Sequence, residues 1–106
     1  SIKTGSITNA VRDTKINGTS IKMGELLGIE ESAIVASGPV LSEVYSGLMQ
    51  KMIDDDSEMI SIYYGEGVDE VTAGELAQLT ENEFPQCDVE LHYGGQPVYP
   101  YIISVE

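Results

Sequence analysis

The stretch Met59-Ile-Ser-Ile-Tyr-Tyr64 decides the fold, because it is apolar on both faces except at Ser61. A strand of this kind is covered on both sides and lies inside a sheet. Gly65 and Gly67 end it, and a second strand, Val89 to Tyr93, follows after a segment with helical spacing. A strand–helix–strand unit of this length crosses over right-handed, so we expect the two strands to be parallel.

Two helices are indicated by their start and stop signals. In the crossover helix, Thr72-Ala-Gly-Glu75 has the form of a capping box, whose Thr and Glu side chains bond free backbone N–H groups. Pro85 ends that helix. The earlier helix begins at Pro39, which suits a first helical turn, and ends near Ile53. Its apolar face recurs at helical spacing and comprises Leu41, Val44, Tyr45, Leu48 and Met52.

An N-terminal β-hairpin is indicated by Asn17-Gly18, which favours a two-residue type I′ turn because both positions need positive φ. We expect its strands at Ser6 to Thr14 and Lys22 to Ile29. Shorter strands are predicted at Ser32 to Ala36 and at Tyr99 to Val105. The predicted fold class is α/β (α+β): a two-layer sandwich with a mixed sheet, an N-terminal hairpin and two helices on one face. We expect residues 1–106 to form one domain.

Arg12-Asp13-Thr14 lies close to this turn and contains the only arginine of the chain. In the predicted register Asp13 lies opposite Lys22, and Glu25 lies diagonal to Arg12, so both are candidate cross-strand charge pairs. Arg12 either neutralises such a neighbour or is presented to a partner or an anion. From the residues alone, the structural role is favoured.

The charge balance is acidic: five Lys and Arg stand against eighteen Asp and Glu, for a formal net charge of −13. Such a surface repels nucleic acid and anionic lipid, and it attracts basic protein surfaces and cations. Solubility explains the charge equally well. The single cysteine, Cys87, excludes an intrachain disulfide and fits the reducing cytoplasm.

No apolar run in the sequence is long enough to span a bilayer, and no signal peptide opens the chain. We therefore expect neither membrane insertion nor nucleic-acid binding. Because the first residue is Ser1 rather than Met, we expect a cleaved tag or a piece of a longer multidomain protein, here its C-terminal part.

No catalytic or metal-binding constellation is favoured. His92 and Cys87 are the only histidine and the only thiol, and no hydrolase motif surrounds either. A zinc site built on them lacks a recognised ligand spacing. Asp54-Asp55-Asp56 lacks the alternating ligands and central glycine of an EF-hand loop, so a solvated loop at a helix end is the better interpretation.

Gly94-Gly-Gln-Pro97 is the most unusual segment, and Tyr93, Tyr99 and Tyr101 crowd around it. The two glycines permit positive φ or close backbone approach, while Pro97 restricts Gln96 and permits a cis bond. Tyrosine is favoured at protein interfaces. A tight hairpin with aromatic packing and a contact surface are equally supported by these residues.

These segments together resemble a known family. Ser6-Ile-Thr-Asn-Ala-Val-Arg-Asp-Thr14, Ile21-Lys-Met-Gly24, Ile62-Tyr-Tyr-Gly-Glu66, Gly94-Gly-Gln-Pro-Val-Tyr99 and Ile102-Ile-Ser-Val-Glu106 look like the C-terminal region of dihydroxyacetone-kinase-like bacterial proteins, the catalytic subunits of fatty acid kinase. The resemblance covers nearly the whole chain, and its Ala-Val-Arg-Asp-Thr and Gly-Gly-Gln-Pro blocks are specific in combination.

The resemblance implies a docking domain that is not itself an enzyme. In that family a separate N-terminal domain holds ATP and magnesium, the substrate is a fatty acid bound to a DegV-type carrier protein, and the terminal region is associated with carrier binding. The product feeds phospholipid synthesis. No cofactor is expected in this domain. The resemblance marks as partner-binding residues Arg12, Asp13, Thr14, Gly94, Gly95, Gln96, Pro97 and Tyr99.

Within that set we expect Gly94, Gly95 and Pro97 to shape the backbone, and Arg12, Gln96 and Tyr99 to make contacts. Two other functions stay open. One is a small-molecule site for a lipid or an anion at the Gly94–Tyr99 loop, and the other is a structural or dimerisation domain.

Overall fold

A computed structural model describes the whole chain, Ser1 to Glu106, as eight strands and two helices. In chain order they are β1 Lys3–Asn9, β2 Thr14–Ile16, β3 Thr19–Ile21, β4 Leu26–Glu30, β5 Ala33–Gly38, α1 Leu41–Met52, β6 Met59–Tyr64, α2 Glu70–Glu83, β7 Asp88–Tyr93 and β8 Tyr101–Val105.

Six of the strands form one mixed sheet in the order β5-β4-β1-β8-β6-β7, and β2 and β3 form a separate two-stranded ribbon. The parallel pairing of β6 with β7 confirms the predicted crossover unit, with Ile60 opposite Val89. The last strand, β8, lies between β1 and β6 and is antiparallel to both. The C-terminal strand therefore joins the N-terminal hairpin to the crossover unit.

Both helices cover the same face of the sheet, as predicted. One continuous core joins the inward side chains of β1, β6 and β8 to those of α1 and α2. The helices also contact each other, since the Tyr45 hydroxyl and the Thr80 hydroxyl lie 2.8 Å apart. Burial raises the pKa of Tyr45 to about 12. The two-layer α+β fold class is confirmed, and no helix in the chain has the length and apolar character needed to cross a bilayer.

The Asn17-Gly18 turn forms with both residues at positive φ, 49° and 80°. Its register extends along the hairpin, because Ile16 pairs with Thr19 at the tip and Asn9 pairs with Leu26 in the main sheet. The continuous strands predicted over Ser6–Thr14 and Lys22–Ile29 are nevertheless wrong in extent. The first predicted strand is broken after Asn9, where β1 ends, and the second joins the main sheet only from Leu26, where β4 begins.

Side-chain bonds to the backbone accompany this interruption. The Asp13 carboxylate accepts from Met23 N at 2.8 Å, the Glu25 carboxylate accepts from Lys22 N at 2.7 Å, and the Asn9 amide donates to Gly24 O at 3.1 Å. The predicted charge pairs of Asp13 with Lys22 and of Glu25 with Arg12 are therefore not formed. A carboxylate bonded to a backbone N–H offers the backbone an alternative to a ladder bond, which accounts for the interruption.

The start of α2 also differs from the prediction. Asp69, not Thr72, is the N-cap, and its carboxylate accepts from Thr72 N at 2.8 Å and from the Thr72 hydroxyl at 3.0 Å. These bonds lower the pKa of Asp69. Asp is at least as good an N-cap as Thr, so the earlier residue starts the helix. Helix α1 begins at Leu41, two residues after the predicted Pro39, and its predicted end near Ile53 is confirmed.

We expect Tyr45→Phe and Tyr101→Phe to differ in their effect on stability. Tyr45→Phe removes the buried bond to Thr80 and lowers the free energy of unfolding by about 1 kcal/mol. The buried Tyr101 hydroxyl has no hydrogen-bond partner in the protein, so Tyr101→Phe costs less than about 0.5 kcal/mol or stabilises. Urea unfolding followed by circular dichroism measures the free energy of unfolding of both variants. An equal loss in the two variants would mean that the Tyr45–Thr80 hydrogen bond does not stabilise the fold.

Candidate functional site

The eight residues marked as partner-binding lie at one end of the sheet or on the hairpin that leaves it there. Ile7 pairs with Tyr101, and Tyr64 also pairs with Tyr101, so β1 and β6 end where β8 begins. The parallel strand β7 ends there too, and both helices start there. We call this the loop end, and we call the opposite end, with Lys3, Asp54 and Cys87, the far end.

The hairpin beyond β1 leaves the sheet at the loop end as an arm, defined as residues 10–25, and its ribbon lines a depression together with residues 34–37 of β5. All residues from Val11 to Ser20 are exposed, which includes Arg12, Asp13 and Thr14. The strand at the base of the arm contacts the loop that precedes β8, because the Thr8 hydroxyl donates to Val98 O at 3.1 Å. Two motifs that are eighty or more positions apart in the sequence are thus brought to the same end of the sheet.

The loop from Gly94 to Pro100 is held against the end of β6 by backbone bonds. Gly94 N and Gly95 N donate to Tyr64 O at 2.9 and 3.1 Å, and Gly65 N donates to Pro100 O at 2.8 Å. Gly95 has a φ of 70°, which glycine adopts without strain. The glycines therefore shape the loop, as the sequence predicts.

The loop does not close the tight hairpin that the sequence supports as one interpretation. Strand β6 lies between β7 and β8 in the sheet, so the strands on either side of the loop do not pair with each other. All peptide bonds are trans, including the one before Pro97. The loop is instead a connection that passes over the end of β6.

The Gln96 side chain is part of this scaffold. Its side-chain amide donates to Tyr63 O at 2.9 Å and to Tyr99 O at 3.0 Å, and its backbone carbonyl accepts from Glu66 N at 3.1 Å. The side-chain N–H donors are satisfied within the protein, which gives Gln96 a positioning role, and its expected contact with a partner stays a prediction. No sequence pattern indicates that this side chain turns inward.

The tip of the loop is strained at Val98, which no sequence motif singles out. Tyr99 N donates to Pro97 O at 2.7 Å across Val98, whose φ is 70°. This is a γ-turn with a positive central φ, and a β-branched residue rarely adopts it. Strain of this kind costs about 1–3 kcal/mol and is concentrated at functional sites. Here it directs an apolar side chain outward, with 76% of its surface exposed.

Exposed apolar side chains are concentrated on the same surface. Of the nine large hydrophobic residues that are exposed, only Ile2 lies at the far end. Clustered exposed apolar surface marks interaction sites, whereas isolated exposed residues do not. The eight residues at the loop end or on the arm are Val11, Ile16, Met23, Val40, Val71, Tyr93, Val98 and Tyr99.

The depressions near this surface do not suit an anionic small molecule. One of about 200 Å³ lies beneath the loop and is lined by Glu66 and by residues around Gly65 and Gln96. Another of about 450 Å³ lies on the uncovered face of the sheet beside Tyr99 and contains no basic side chain. Arg12 lines neither.

The residues considered for catalysis lie apart. Cys87 is buried before β7, where its thiol donates to Ser57 O at 3.4 Å and burial raises its pKa. His92 is exposed, bonds Glu90 at 3.0 Å and stacks on Tyr63. The extended chain between Cys87 and His92 separates them by about 16 Å, so they form no dyad.

In the acidic run after α1, the Asp54 carboxylate is occupied by structural bonds. The Asp54 carboxylate pairs with Lys3 at 2.9 Å and accepts from Asp56 N at 2.8 Å. The bond to Lys3 lowers the pKa of Asp54. No group of three or more His, Cys, Asp and Glu side chains is arranged to hold a metal ion.

We expect Gly65→Ala to disrupt the loop and Gly67→Ala to leave it intact. A Cβ at Gly65 would lie 2.7 Å from both Gln96 O and Tyr99 O, whereas one at Gly67 meets nothing within 4 Å. Overpacking costs about 1–3 kcal/mol, so Gly65→Ala should lower the free energy of unfolding by that amount. Denaturant unfolding checks this result. Equal stability of the two variants would mean that the loop does not pack on Gly65.

Comparison with known proteins identifies relatives along the whole chain. The family model for the C-terminal domain of FakA-like fatty acid kinase proteins matches residues 1–106. An uncharacterized protein of Staphylococcus haemolyticus is 45% identical over 106 residues, one of Staphylococcus epidermidis 41% over 105, and one of Staphylococcus aureus (strain MRSA252) 38% over 105. These alignments cover 99% or more of this chain but only 19% of each relative.

Proposed function

Because the chain belongs to the FakA-like C-terminal family of fatty acid kinase proteins, we propose that it is the module that docks the kinase onto its fatty-acid carrier. The carrier is a protein of the DegV type that presents the carboxyl group of a bound fatty acid. The docking surface is the loop end with the arm. The observation that carries this proposal is the convergence of both family motifs and eight of the nine exposed large apolar residues on that surface.

The chemistry of the surface fits a protein partner. Tyr93 and Tyr99 offer large, rigid, amphipathic side chains, and Val98 adds an apolar tip. Aromatic anchors surrounded by polar residues are typical of interfaces. The loop is pre-shaped by the Gln96 bonds and by Gly65, so less ordering entropy is lost on binding.

Acidic residues border this surface at the start of α2. Glu66, Asp69, Glu70 and Glu75 lie in or next to the first turns of that helix, and we call them the acidic rim. With a net charge of −13, the chain is steered toward a basic face on the carrier.

The phosphoryl transfer belongs, in this proposal, to another part of the longer relatives. We expect ATP and magnesium to bind there and not in these 106 residues, which supply recognition. A cytoplasmic location in bacteria is part of the proposal, supported by the single buried Cys87 and by the Staphylococcus relatives. A site at the loop for an anion or for the charged head group of a lipid is less supported, because no basic side chain lines the depressions there.

Binding to a fatty-acid-loaded DegV-type carrier from the same genome tests the proposal. Isothermal calorimetry with about 100 µM protein at about 0.05 M salt should give a dissociation constant in the micromolar range. Raising the salt to about 0.3 M should weaken binding several-fold, because the charges are exposed. No heat of binding at low salt would contradict docking by this domain, while salt-independent binding would contradict only the steering.

The position of the surface is tested by Tyr99→Ala, with Ile2→Ala as the matched control. Both residues are exposed and apolar, but Tyr99 lies at the loop end and Ile2 at the far end. Truncation of an interface anchor costs about 2 kcal/mol or more, so Tyr99→Ala should weaken binding roughly thirtyfold and Ile2→Ala should not. If Ile2→Ala weakened binding more than Tyr99→Ala, the interface would lie at the far end.

A further inference from the structure

The arm differs in charge from the rest of the molecule. It carries three of the five Lys and Arg residues, namely Arg12, Lys15 and Lys22, but only two of the eighteen Asp and Glu, namely Asp13 and Glu25. Its formal charge is therefore +1, which leaves −14 for the remaining residues of a chain with a total of −13. A single positively charged segment in so acidic a chain is not explained by a general need for solubility.

The basic side chains of the arm are not used within the fold. Arg12, Lys15 and Lys22 are exposed, and none lies within ion-pair distance of a carboxylate, although acidic residues are abundant. The two acids of the arm bond the backbone instead, at Met23 N and Lys22 N. The carboxylates thus hold the shape of the arm, and the cations stay free.

Each basic residue of the arm has an exposed apolar residue next to it in the sequence. The pairs are Val11 with Arg12, Lys15 with Ile16, and Lys22 with Met23, of which Lys15 and Ile16 are consecutive on strand β2 and point to opposite faces of the ribbon. The exposed fractions of Val11 and Met23 are 80% and 69%. A surface that combines free cations with apolar side chains fits a partner patch that is acidic and partly apolar.

A uniformly basic partner face does not fit this arrangement. Such a face would attract the acidic rim of α2 but repel the arm, which extends from the same end of the sheet. We propose that the arm is a separate recognition element that binds an acidic, partly apolar patch on the carrier, beside the basic face that meets the acidic rim. This inference depends on the proposed docking function and deepens it, because two opposite charges fix the orientation of the carrier.

Other anionic partners are disfavoured by the rest of the molecule. A nucleic acid or an anionic membrane presents a continuous negative surface, which the −14 charge outside the arm would repel. An acidic patch of limited size on a protein can contact the arm without facing the acidic rim.

Charge reversal at single positions tests the inference. Lys15→Glu on the arm is compared with Lys51→Glu, an exposed basic residue in the last turn of α1 at the far end. Both variants change the net charge by the same amount, and both sites are exposed, so thermal unfolding should show that each folds as the parent does. Calorimetry with the loaded carrier then measures their affinities at low salt.

The two explanations of binding predict opposite signs. If net charge alone governs association, both substitutions strengthen binding by a basic carrier. In our proposal Lys15→Glu weakens binding about tenfold, which corresponds to losing one cross-interface charge pair, and Lys51→Glu leaves it unchanged or slightly stronger. The triple variant Arg12→Glu, Lys15→Glu and Lys22→Glu should weaken it further.

The results for the parent chain and for Lys15→Glu test the docking proposal and the arm inference separately. If the parent chain binds the carrier and Lys15→Glu binds equally well or better, the arm inference is overturned and docking survives. If the parent chain does not bind, the docking proposal fails first. If sedimentation shows that Lys15→Glu instead converts a dimer of this chain to a monomer, the arm contacts a second copy, and the inference is overturned as well.

Discussion

The structure depends on the insertion of β8 between β1 and β6. Tyr101 pairs with Ile7 on one side and with Tyr64 on the other, so one five-residue strand joins two halves that would otherwise be separate sheets. Its apolar side chains Tyr101, Ile103 and Val105 are almost fully buried beneath the helices. The insertion also brings the loop that precedes β8 against the base of the arm.

The local parts of this fold can be predicted because each has a local cause. Asn17-Gly18 determines a turn and, through it, the register of the hairpin. The apolar run Met59–Tyr64 indicates an inner strand, and the parallel pairing with β7 follows from crossover handedness.

Two local details could not be predicted, because in each case the sequence offers more than one hydrogen-bonding arrangement for the same side chains. Asp69 and Thr72 are both good caps for α2, and only the structure shows which backbone N–H groups they reach. The break in the hairpin arises because Asp13 and Glu25 bond backbone N–H groups in place of the expected charge pairs.

The surface at the loop end is only partly visible in the sequence. Nothing local indicates that the motifs around Arg12 and around Gly94–Tyr99 share one end of a sheet, since this depends on where β8 inserts. The sequence favours a contact role for Gln96, yet this residue supports the loop. Val98 carries no signal in the sequence, because a β-branched residue rarely adopts the positive φ that it has in the structure. A rigid loop, an exposed apolar tip and an arm with free basic side chains together suit recognition of a protein.

Docking at the loop end is tested most directly by amide chemical-shift mapping of the labelled chain during titration with the loaded carrier. We expect shifts and line broadening to concentrate on the arm, the Gly94–Pro100 loop and the first turns of both helices. Amides at the far end, around Asp54–Glu58 and Phe84–Cys87, should remain unchanged. Perturbations centred on the far end, or on the outer face of the helices, would contradict a docking surface at the loop end.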